Sequence, residues 1–237
     1  MELILPQHIG FIMDGNGRWA TGQGLERSQG HIAGAEAFRR ICDYGCELGI
    51  KSLTFYAFST ENWRRPPAEV TAIMNLFREY LYEARERKLE NLKKGMRMHY
   101  MGGREGVPED ILELFDTAEE ESASATRTTV NIAVNYGGRA EIVNSVKKIA
   151  ERVAKGEVSP EDIDEDMITA GLYTCGQPEP DVIVRPGGEM RISNFMIWQS
   201  AYSEFIFSDK LWPDFQTEDL DEIIVEFNRR NRRFGGI

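Results

Sequence analysis

The chain alternates short runs of β-branched or aromatic residues with longer amphipathic segments. The short runs have the length and composition of buried strands, and the amphipathic segments have the length of crossover helices. This alternation is typical of β-α-β units, in which parallel strands form a central sheet covered by helices. The pattern predicts six strands, over residues 8–13, 51–57, 96–101, 129–134, 181–184 and 203–207.

Six helices are predicted between and after these strands. The third and fifth are expected to begin at Pro108 and Pro160, because proline suits the first turn of a helix. The helical ranges are 33–48, 67–93, 108–124, 138–154, 160–171 and 217–231.

No repeat, low-complexity tract or flexible linker divides the 237 residues, which suffice for one sizeable core. We therefore expect a single α/β domain over residues 1–237, with a central six-stranded, mostly parallel sheet surrounded by helices. The formal net charge of −11 argues against general nucleic-acid binding, which needs a basic surface. The sequence contains neither an apolar run long enough to span a membrane nor a signal-peptide pattern, so a cytoplasmic protein is expected. Cys42, Cys46 and Cys175 lack metal-site spacing, and their odd number fits a reducing compartment.

Unusual residues follow four of the predicted strands. In an open parallel sheet, ligands bind beyond the carboxyl ends of the strands, where loops and helix amino termini meet. The four loops are therefore expected to share one edge of the sheet. They are residues 14–19, 58–66, 135–139 and 185–194.

These loops and their neighbours concentrate arginines in a chain that is acidic overall. Clustered guanidinium groups repel one another unless an anion lies between them, and their forked donors suit phosphate oxygens. Asp14 among them suits a divalent cation, because Mg²⁺ characteristically bridges one or two carboxylates to substrate phosphates. We therefore predict a Mg²⁺-diphosphate site. Its arginines are Arg18, Arg27, Arg65, Arg139, Arg185 and Arg191.

Other residues of the loops narrow the class of substrate. The glycines fit neither the P-loop nor the GxGxxG pattern, which disfavours ATP and NAD. Aromatic side chains alternate with the cations, which favours a substrate with an anionic head and an apolar body. For Phe58 and Phe195 a place in the hydrophobic core is equally expected. The aromatic residues are Trp19, Phe58, Trp63, Tyr136, Phe195 and Trp198.

Several long segments resemble the cis-prenyltransferase family, with most likeness to its bacterial members. They are HIGFIMDGNGRWA, GHIAG, YAFSTENWRRP, NIAVNYGGRAEI, VRPGGEMRISNFMIWQSAYSEFIFSDKLWPDF and a closing NRRFGG. The resemblance spans nearly the whole chain in the family's order. It implies a homodimer of single-domain subunits, each with a six-stranded, mostly parallel sheet and a hydrophobic tunnel.

The resemblance also implies a reaction. It is the Mg²⁺-dependent, repeated condensation of isopentenyl diphosphate onto an allylic diphosphate such as farnesyl diphosphate, forming cis double bonds. The product would be a long polyprenyl diphosphate such as undecaprenyl diphosphate, a lipid carrier precursor for bacterial wall glycans, released with peripheral membrane contact. Chain length would depend on tunnel residues, with Ala72, Leu76 and Val134 as candidates.

Other activities remain open at this point. They are synthesis of medium- or short-chain products, head-to-middle condensation or terpene cyclisation, and the role of a non-catalytic partner subunit. Such subunits typically lack the first-loop acid, so Asp14 argues against the last.

Residue roles follow by motif position. Asp14 is implied to hold Mg²⁺ and assist departure of the allylic diphosphate, with Glu204 as second metal ligand. The family assigns Asn62 as proton acceptor, but a neutral amide is a poor base, so we expect it to orient the substrate while a diphosphate oxygen takes the proton. The allylic diphosphate would be bound by Gly15, Asn16, Gly17, Arg18, Trp19, Arg27 and His31. Isopentenyl diphosphate would be bound by Ser59, Thr60, Glu61, Trp63, Arg65, Arg185, Arg191, Ile192 and Ser193.

The closing element and three departures complete the resemblance. Residues 233–235 (Arg-Phe-Gly) resemble an element that reaches the active site across the dimer. Pro186 stands where Thr or Ser is common, and the lost hydroxyl and N–H are expected to affect isopentenyl diphosphate affinity. Met190 stands where His often occurs, and Gly103, where Asp is usual, is expected to be distant from the chemistry.

Overall fold

The computed structural model of the protein describes residues 3–230. The strands are β1 (His8–Ile12), β2 (Ser52–Ser59), β3 (Met96–Met101), β4 (Thr128–Tyr136), β5 (Val182–Pro186) and β6 (Glu204–Ser208). The α-helices are α1 (Asn16–Gly22), α2 (Arg27–Leu48), α3 (Pro67–Glu86), α4 (Lys88–Lys94), α5 (Glu109–Ser122), α6 (Gly138–Ala154), α7 (Glu165–Ala170) and α8 (Thr217–Arg229). Short 3-10 helices cover Thr60–Arg64, Pro160–Asp162 and Trp212–Asp214.

The six strands form one sheet in the order β3-β4-β2-β1-β5-β6, and every pairing in it is parallel. This confirms the predicted α/β class and strand count. The chain builds outward from β1 on one side and later returns to add β5 on the other, so β1 is the switch point of the sheet. The loop after β1 is where such sheets bind ligands.

Four helical predictions differ from the structure. The predicted loop after β1 is helix α1, which starts behind Gly15 with φ +108°. α2 begins at Arg27 rather than at residue 33, and the predicted helix 67–93 is divided at Arg87, where ψ opens to 7°. The predicted helix 160–171 is a 3-10 turn followed by the short α7.

The core beside β1 fixes the backbone of the first loop. Phe11 stacks on Phe55 with ring centroids 5.1 Å apart, and Trp212 packs against both rings. The Trp212 indole donates to the Gly34 carbonyl over 2.7 Å, and its backbone N–H donates to the Asp14 carbonyl over 3.0 Å. Asp14 is therefore anchored to the buried core immediately beyond the end of β1.

Among residues 3–230, no helix is both long and apolar enough to cross a membrane. Cys42 and Cys46 are buried and unbridged, and Cys175 is exposed. Residues 233–235, which resemble the family's terminal element, lie outside the described residues.

Candidate active site

One cavity opens at the carboxyl edge of the sheet, walled by the loops after β1, β2, β4 and β5. All six arginines predicted to converge line it, on a chain whose net charge is −11. The other predicted site residues on its wall are Asp14, Gly15, Asn16, Gly17, His31, Ser59, Glu61, Asn62, Ile192 and Ser193. Motif position assigns roles to nineteen residues, a set that does not include Arg139. The structure places fifteen of these nineteen in one cavity.

Asp14 lies between two arginines of this cavity. Its Oδ2 accepts a hydrogen bond from Arg185 Nη2 over 2.9 Å, and its Oδ1 lies 3.2 Å from Arg18 Nη2. Burial alone would raise the pKa of the Asp14 carboxyl, but the hydrogen bond and charge of Arg185, aided by Arg18, outweigh it and lower the pKa. Asp14 is therefore a carboxylate at neutral pH.

The Arg185 side chain is only 5% exposed and connects β5 to the loop that follows it. One amino group donates to Ser193 Oγ over 2.7 Å and to the Arg191 carbonyl, while the other contacts Asp14. One guanidinium group therefore bridges the loop that carries Asp14 and the loop that carries Ser193.

Three buried polar atoms in this region have no hydrogen-bond partner. They are Asn16 Oδ1, His31 Nε2 and Arg185 Nε, and all three residues line the cavity. Buried polar atoms are nearly always paired, so unpaired atoms on one cavity wall indicate a site for a polar ligand. Burial and the charge of Arg65 lower the pKa of His31, which is neutral at pH 7.

The two glycines of the GHIAG segment allow α1 to lie against α2. A Cβ at Gly30 would come within 1.9 Å of the Asn16 carbonyl oxygen, and one at Gly34 within 2.4 Å of Asn16 Oδ1. A larger residue at Gly30 would clash with backbone, and one at Gly34 would displace the Asn16 side chain. The motif therefore brings Asn16 to the cavity beside His31.

Sequence reasoning missed Glu69, in the first turn of α3. Its Oε1 lies 2.9 Å from Arg65 Nη1, 3.4 Å from Arg27 Nη2 and 3.5 Å from His31 Nε2. Burial opposes ionisation of Glu69, but Arg65 and Arg27 lower its pKa. Its four-residue spacing from Arg65 is a weak signal, because Arg65 precedes the first residue of α3 and so does not lie on the surface of that helix.

Four predicted site residues lie elsewhere. The Trp19 indole donates to Asp214 over 2.7 Å, and Trp63 packs on Phe58 with centroids 4.8 Å apart. Thr60 and Trp63 line a neighbouring cavity on the other side of the 60–64 turn. The prediction that aromatics wall the substrate site is wrong for the buried Tyr136, and Phe58 and Phe195 take the place in the core that was equally expected of them. Trp198 donates to Thr169.

Glu204 is the fourth of these residues. It begins β6 opposite Val182, level with Ile9 of β1, and its Oε2 lies 2.9 Å from Arg230 Nη1. Asp14 lies beyond the other end of β1, which runs about 10 Å from Ile9 to Ile12 at ~3.3 Å per residue before the Asp14 N–H turns back to the Ile12 carbonyl. One chain therefore does not bring the two predicted metal ligands together.

The Asn62 side chain forms a hydrogen bond within its own turn. Its Oδ1 accepts from the Ser59 N–H over 3.0 Å and completes a capping box on the 3-10 helix Thr60–Arg64. This contact holds the Asn62 amide at the cavity wall.

A second cavity continues from the first into the apolar interior. The two share Met13, Asn16, His31, Ala57 and Ile73. From there the second cavity runs between α2 and α3 past mainly apolar side chains, including Phe38, Leu76, Phe77, Leu81, Phe115 and Ile132. Of the three residues proposed to govern length, Leu76 lines it and Ala72 and Val134 do not.

Ion pairs lie at the far end of this apolar cavity. Arg39 pairs with Glu83, and Arg87 Nη2 lies 3.2 Å from Asp43 Oδ2, all four residues being on the cavity wall. An arginine-lined mouth thus opens into an apolar interior that has charged groups at its end. A ligand with a charged head and a long apolar body fits this form.

Comparisons with known proteins agree with that form. A family model described as putative undecaprenyl diphosphate synthase matches residues 12–235. The chain belongs to this prenyltransferase family. It is 47% identical to the isoprenyl transferase of Heliobacterium mobile over 98% of this chain and 88% of the relative, and 46% identical to that of Clostridium perfringens over 100% and 92%.

Solved prenyltransferases share the fold. Lavandulyl diphosphate synthase from Lavandula x intermedia, in complex with dimethylallyl diphosphate, superimposes with a TM-score of 0.94 at 33% identity, covering 98% of each chain. A probable undecaprenyl diphosphate synthase from Campylobacter jejuni gives 0.78 at 30% identity, covering 100% of each. The chain is therefore a cis-prenyltransferase resembling undecaprenyl diphosphate synthases, and its substrates are isoprenyl diphosphates.

The departures from the family pattern can now be placed. Met190 is 81% exposed, and Pro186 ends β5 beside the Arg185 contacts. Gly103 is not remote, contrary to expectation, because its carbonyl accepts from Asn135 Nδ2 over 3.0 Å and Asn135 contacts Trp63. Asn135 thus connects Gly103 to the 3-10 helix Thr60–Arg64, which also carries Asn62.

Proposed function

We propose that the protein condenses isopentenyl diphosphate repeatedly onto an allylic diphosphate such as farnesyl diphosphate, in a Mg²⁺-dependent reaction. The product is a long-chain polyprenyl diphosphate such as undecaprenyl diphosphate. The observation that carries the proposal is the convergence of six arginines at the mouth of an apolar cavity. The cations outnumber the four carboxylates that touch them or share the wall, which are Asp14, Glu61, Glu69 and Glu189.

The diphosphate groups of the two substrates bind to different sides of this arginine-lined cavity. The allylic diphosphate is bound on the α1 side by Arg18, Arg27 and His31, so that its hydrocarbon enters the apolar cavity. Isopentenyl diphosphate is bound on the β5 side by Arg191 and Ser193. Asn62 orients its carbon skeleton, and a diphosphate oxygen accepts the proton that leaves. The apolar walls exclude water from the allylic carbon, which favours condensation over hydrolysis.

The site offers Mg²⁺ one carboxylate beside a cavity for substrate phosphates, which is a ligand set that this ion prefers. No cluster of three His, Cys, Asp or Glu groups that could hold a metal occurs in residues 3–230, and Mg²⁺ is usually held by one or two carboxylates together with substrate phosphates. Asp14, ionised and at the mouth, would hold it. When bound, the ion neutralises charge on the departing diphosphate. A site using Glu204 as well would need that residue from a second copy, consistent with the proposed homodimer.

Head-to-middle condensation is the second candidate, because the lavandulyl diphosphate synthase structure superimposes so closely. Higher identity to the isoprenyl transferases favours chain elongation. Medium- or short-chain products are variants of the same reaction. The presence of Asp14 argues against a non-catalytic subunit. A membrane-bound lipid as product implies cytoplasmic action with peripheral membrane contact.

The deciding experiment is incubation of the purified protein with farnesyl diphosphate, labelled isopentenyl diphosphate and Mg²⁺, with products resolved by length. Elongated products that disappear with EDTA are expected. A parallel incubation with dimethylallyl diphosphate alone tests head-to-middle chemistry, which would give a branched ten-carbon product. Full turnover by Asp14→Ala would refute the assigned role of Asp14.

A further inference from the structure

Two asparagines with left-handed backbones flank the 3-10 helix Thr60–Arg64. Asn135 has φ +50° near the end of β4, and Asn194 has φ +65° in the loop after β5. Non-glycine residues adopt this conformation uncommonly, and asparagine is among those that tolerate it best. The two residues contact the turn from different sides.

The side-chain amide of Asn135 joins three loops. Its Oδ1 accepts from Trp63 Nε1 over 2.8 Å, and its Nδ2 donates to the carbonyls of Gly103 and Glu105 over 3.0 and 2.9 Å. Because two carbonyls can only accept and an indole N–H can only donate, the amide has one possible orientation. The oxygen of Asn135 is therefore committed to Trp63.

Asn194 holds the same turn from the cavity side. Its Nδ2 donates to Glu61 Oε1 over 3.1 Å, and its Oδ1 accepts from the Arg139 N–H over 2.9 Å. The loops are in close contact there, because a Cβ at Gly137 would lie 2.7 Å from Asn194 Nδ2 and 2.8 Å from Thr60 Oγ1. Asn194 itself lines the main cavity, whereas Asn135 does not.

The turn between them has little stability of its own. It is a five-residue 3-10 helix with no fully buried residue, and short helices of this kind depend on tertiary contacts for their orientation. Its half-buried Trp63 packs against the core and contacts the Phe58 ring and Asn135. Ser59, Glu61 and Asn62 line the cavity on the opposite side of the same turn.

We propose that Asn135 is a positioning residue that acts through Trp63. It sets the orientation of the 60–64 turn and thereby of the residues presented to isopentenyl diphosphate. This inference rests on the proposed function for its substrate. A misplacement of about 1 Å at such a contact costs on the order of 100-fold in rate, so a residue outside the cavity can matter strongly.

Two substitutions test the contact without disturbing the backbone. Asn135→Gly keeps the left-handed conformation and deletes the amide, and Asn135→Asp keeps the acceptor for Trp63 but loses both donors. For Asn135→Gly we expect the KM for isopentenyl diphosphate to rise about 10-fold or kcat to fall by up to about 100-fold, with the KM for the allylic diphosphate within about twofold of wild type. Asn135→Asp should be at least as impaired as Asn135→Gly although it keeps the acceptor for Trp63, because a carboxylate oxygen would face the carbonyls of Gly103 and Glu105. Asn144→Ala, in the same neighbouring cavity but without contact to the turn, is the matched control and should leave both constants unchanged.

A double-mutant cycle tests the route through Trp63. If Asn135 acts through the indole, Asn135→Gly should add little to the kinetic defect of Trp63→Phe. Full additivity, equal increases in both KM values, or unchanged kinetics in Asn135→Gly would each overturn the inference.

The hydrogen bond also has a readout that needs no turnover. The indole N–H signal of Trp63 in a ¹H–¹⁵N spectrum is assigned by its loss in Trp63→Phe, and it should move upfield in Asn135→Gly but not in Asn144→Ala. An unmoved signal would refute the contact. An inactive wild type with a shifted signal would instead refute the proposed function, and the kinetic role of Asn135 with it.

Discussion

The carboxylate of Asp14 accepts a hydrogen bond from the buried guanidinium of Arg185, with 2.9 Å between Oδ2 and Nη2. The same guanidinium holds Ser193 and the Arg191 carbonyl. The residue assigned to ionisation of one substrate is thus tied to the loop assigned to the other. Both halves of the site depend on one forked side chain.

Replacing Arg185 by Lys should therefore disable the enzyme although the charge is kept. An ammonium group cannot span the three acceptors that the guanidinium reaches, so both loops lose their common support. We expect kcat/KM for isopentenyl diphosphate to fall about 100-fold in steady-state assays. Arg64→Lys, at an exposed residue of the 3-10 helix outside the cavity wall, is the control. Equal activity of the two variants would contradict the shared-support interpretation.

Glu69 should compete with a bound diphosphate for the same cations. In Glu69→Gln the charges of Arg27 and Arg65 lose their carboxylate, and we expect a loss of about 2 kcal/mol in the free energy of unfolding, or about 4–8 °C in Tm. Inorganic pyrophosphate should restore more of this Tm in the variant than it adds to wild type, as thermal unfolding with a pyrophosphate titration would show. An identical pyrophosphate response in both proteins would show that Glu69 does not occupy the anion site.

His8 should make the protein acid-sensitive. It is fully buried, its Nδ1–H donates to the Pro178 carbonyl and its Nε2 accepts from Thr54 Oγ1, both over 2.7 Å. Burial lowers the pKa of His8 from 6.5 to about 4. The unfolded chain therefore binds a proton at higher pH than the folded one, and stability is lost as pH falls from about 6.5 towards 4.

The expected size of this effect is about 2 kcal/mol in the free energy of unfolding between pH 7 and pH 5. Urea unfolding of wild type and His8→Gln at both values measures it as the difference between the two proteins. That comparison cancels His99, whose pKa is raised because hydrogen bonds to Glu119 and Tyr173 outweigh its burial. The same pH dependence in both proteins would refute the assignment to His8.

Leu76 should influence product length. It lies on the wall of the apolar cavity, whereas Ala72, one turn earlier on α3, does not. Leu76→Phe is expected to shift the elongation products towards shorter chains, because the larger ring fills space that the growing chain needs. Ala72→Phe is the control on the same helix, and products resolved by chromatography provide the measurement. A shift caused only by Ala72→Phe would contradict this cavity as the path of the chain.

Some parts of the site were predictable and others were not, for physical reasons. Because the ends of parallel strands meet at one edge, the loops that carry Arg18 and Arg185 could be predicted to meet. The contacts Arg18–Gly187 and Asp14–Arg185 join residues 169 and 171 positions apart in the chain. The hydrophobic pattern of a five-residue turn does not show which of its side chains face the main cavity. The sequence therefore could not show that Trp63 faces the neighbouring cavity instead. The roles of Glu69 and Asn135 exist only through contacts with other loops. The order of the strands was needed to show that Glu204 begins β6 at the edge opposite Asp14.

The form of the joined cavities has a consequence for how growth would stop. The arginines hold the diphosphate at a fixed origin, so each five-carbon addition must drive the earlier carbons further along the channel between α2 and α3. The pairs Arg39–Glu83 and Arg87–Asp43 lie on the far part of the channel wall, where a chain of sufficient length would meet charged groups. Under the proposed function, termination would depend on distance from the cations, so the protein would limit the number of condensations without recognising the product as a whole.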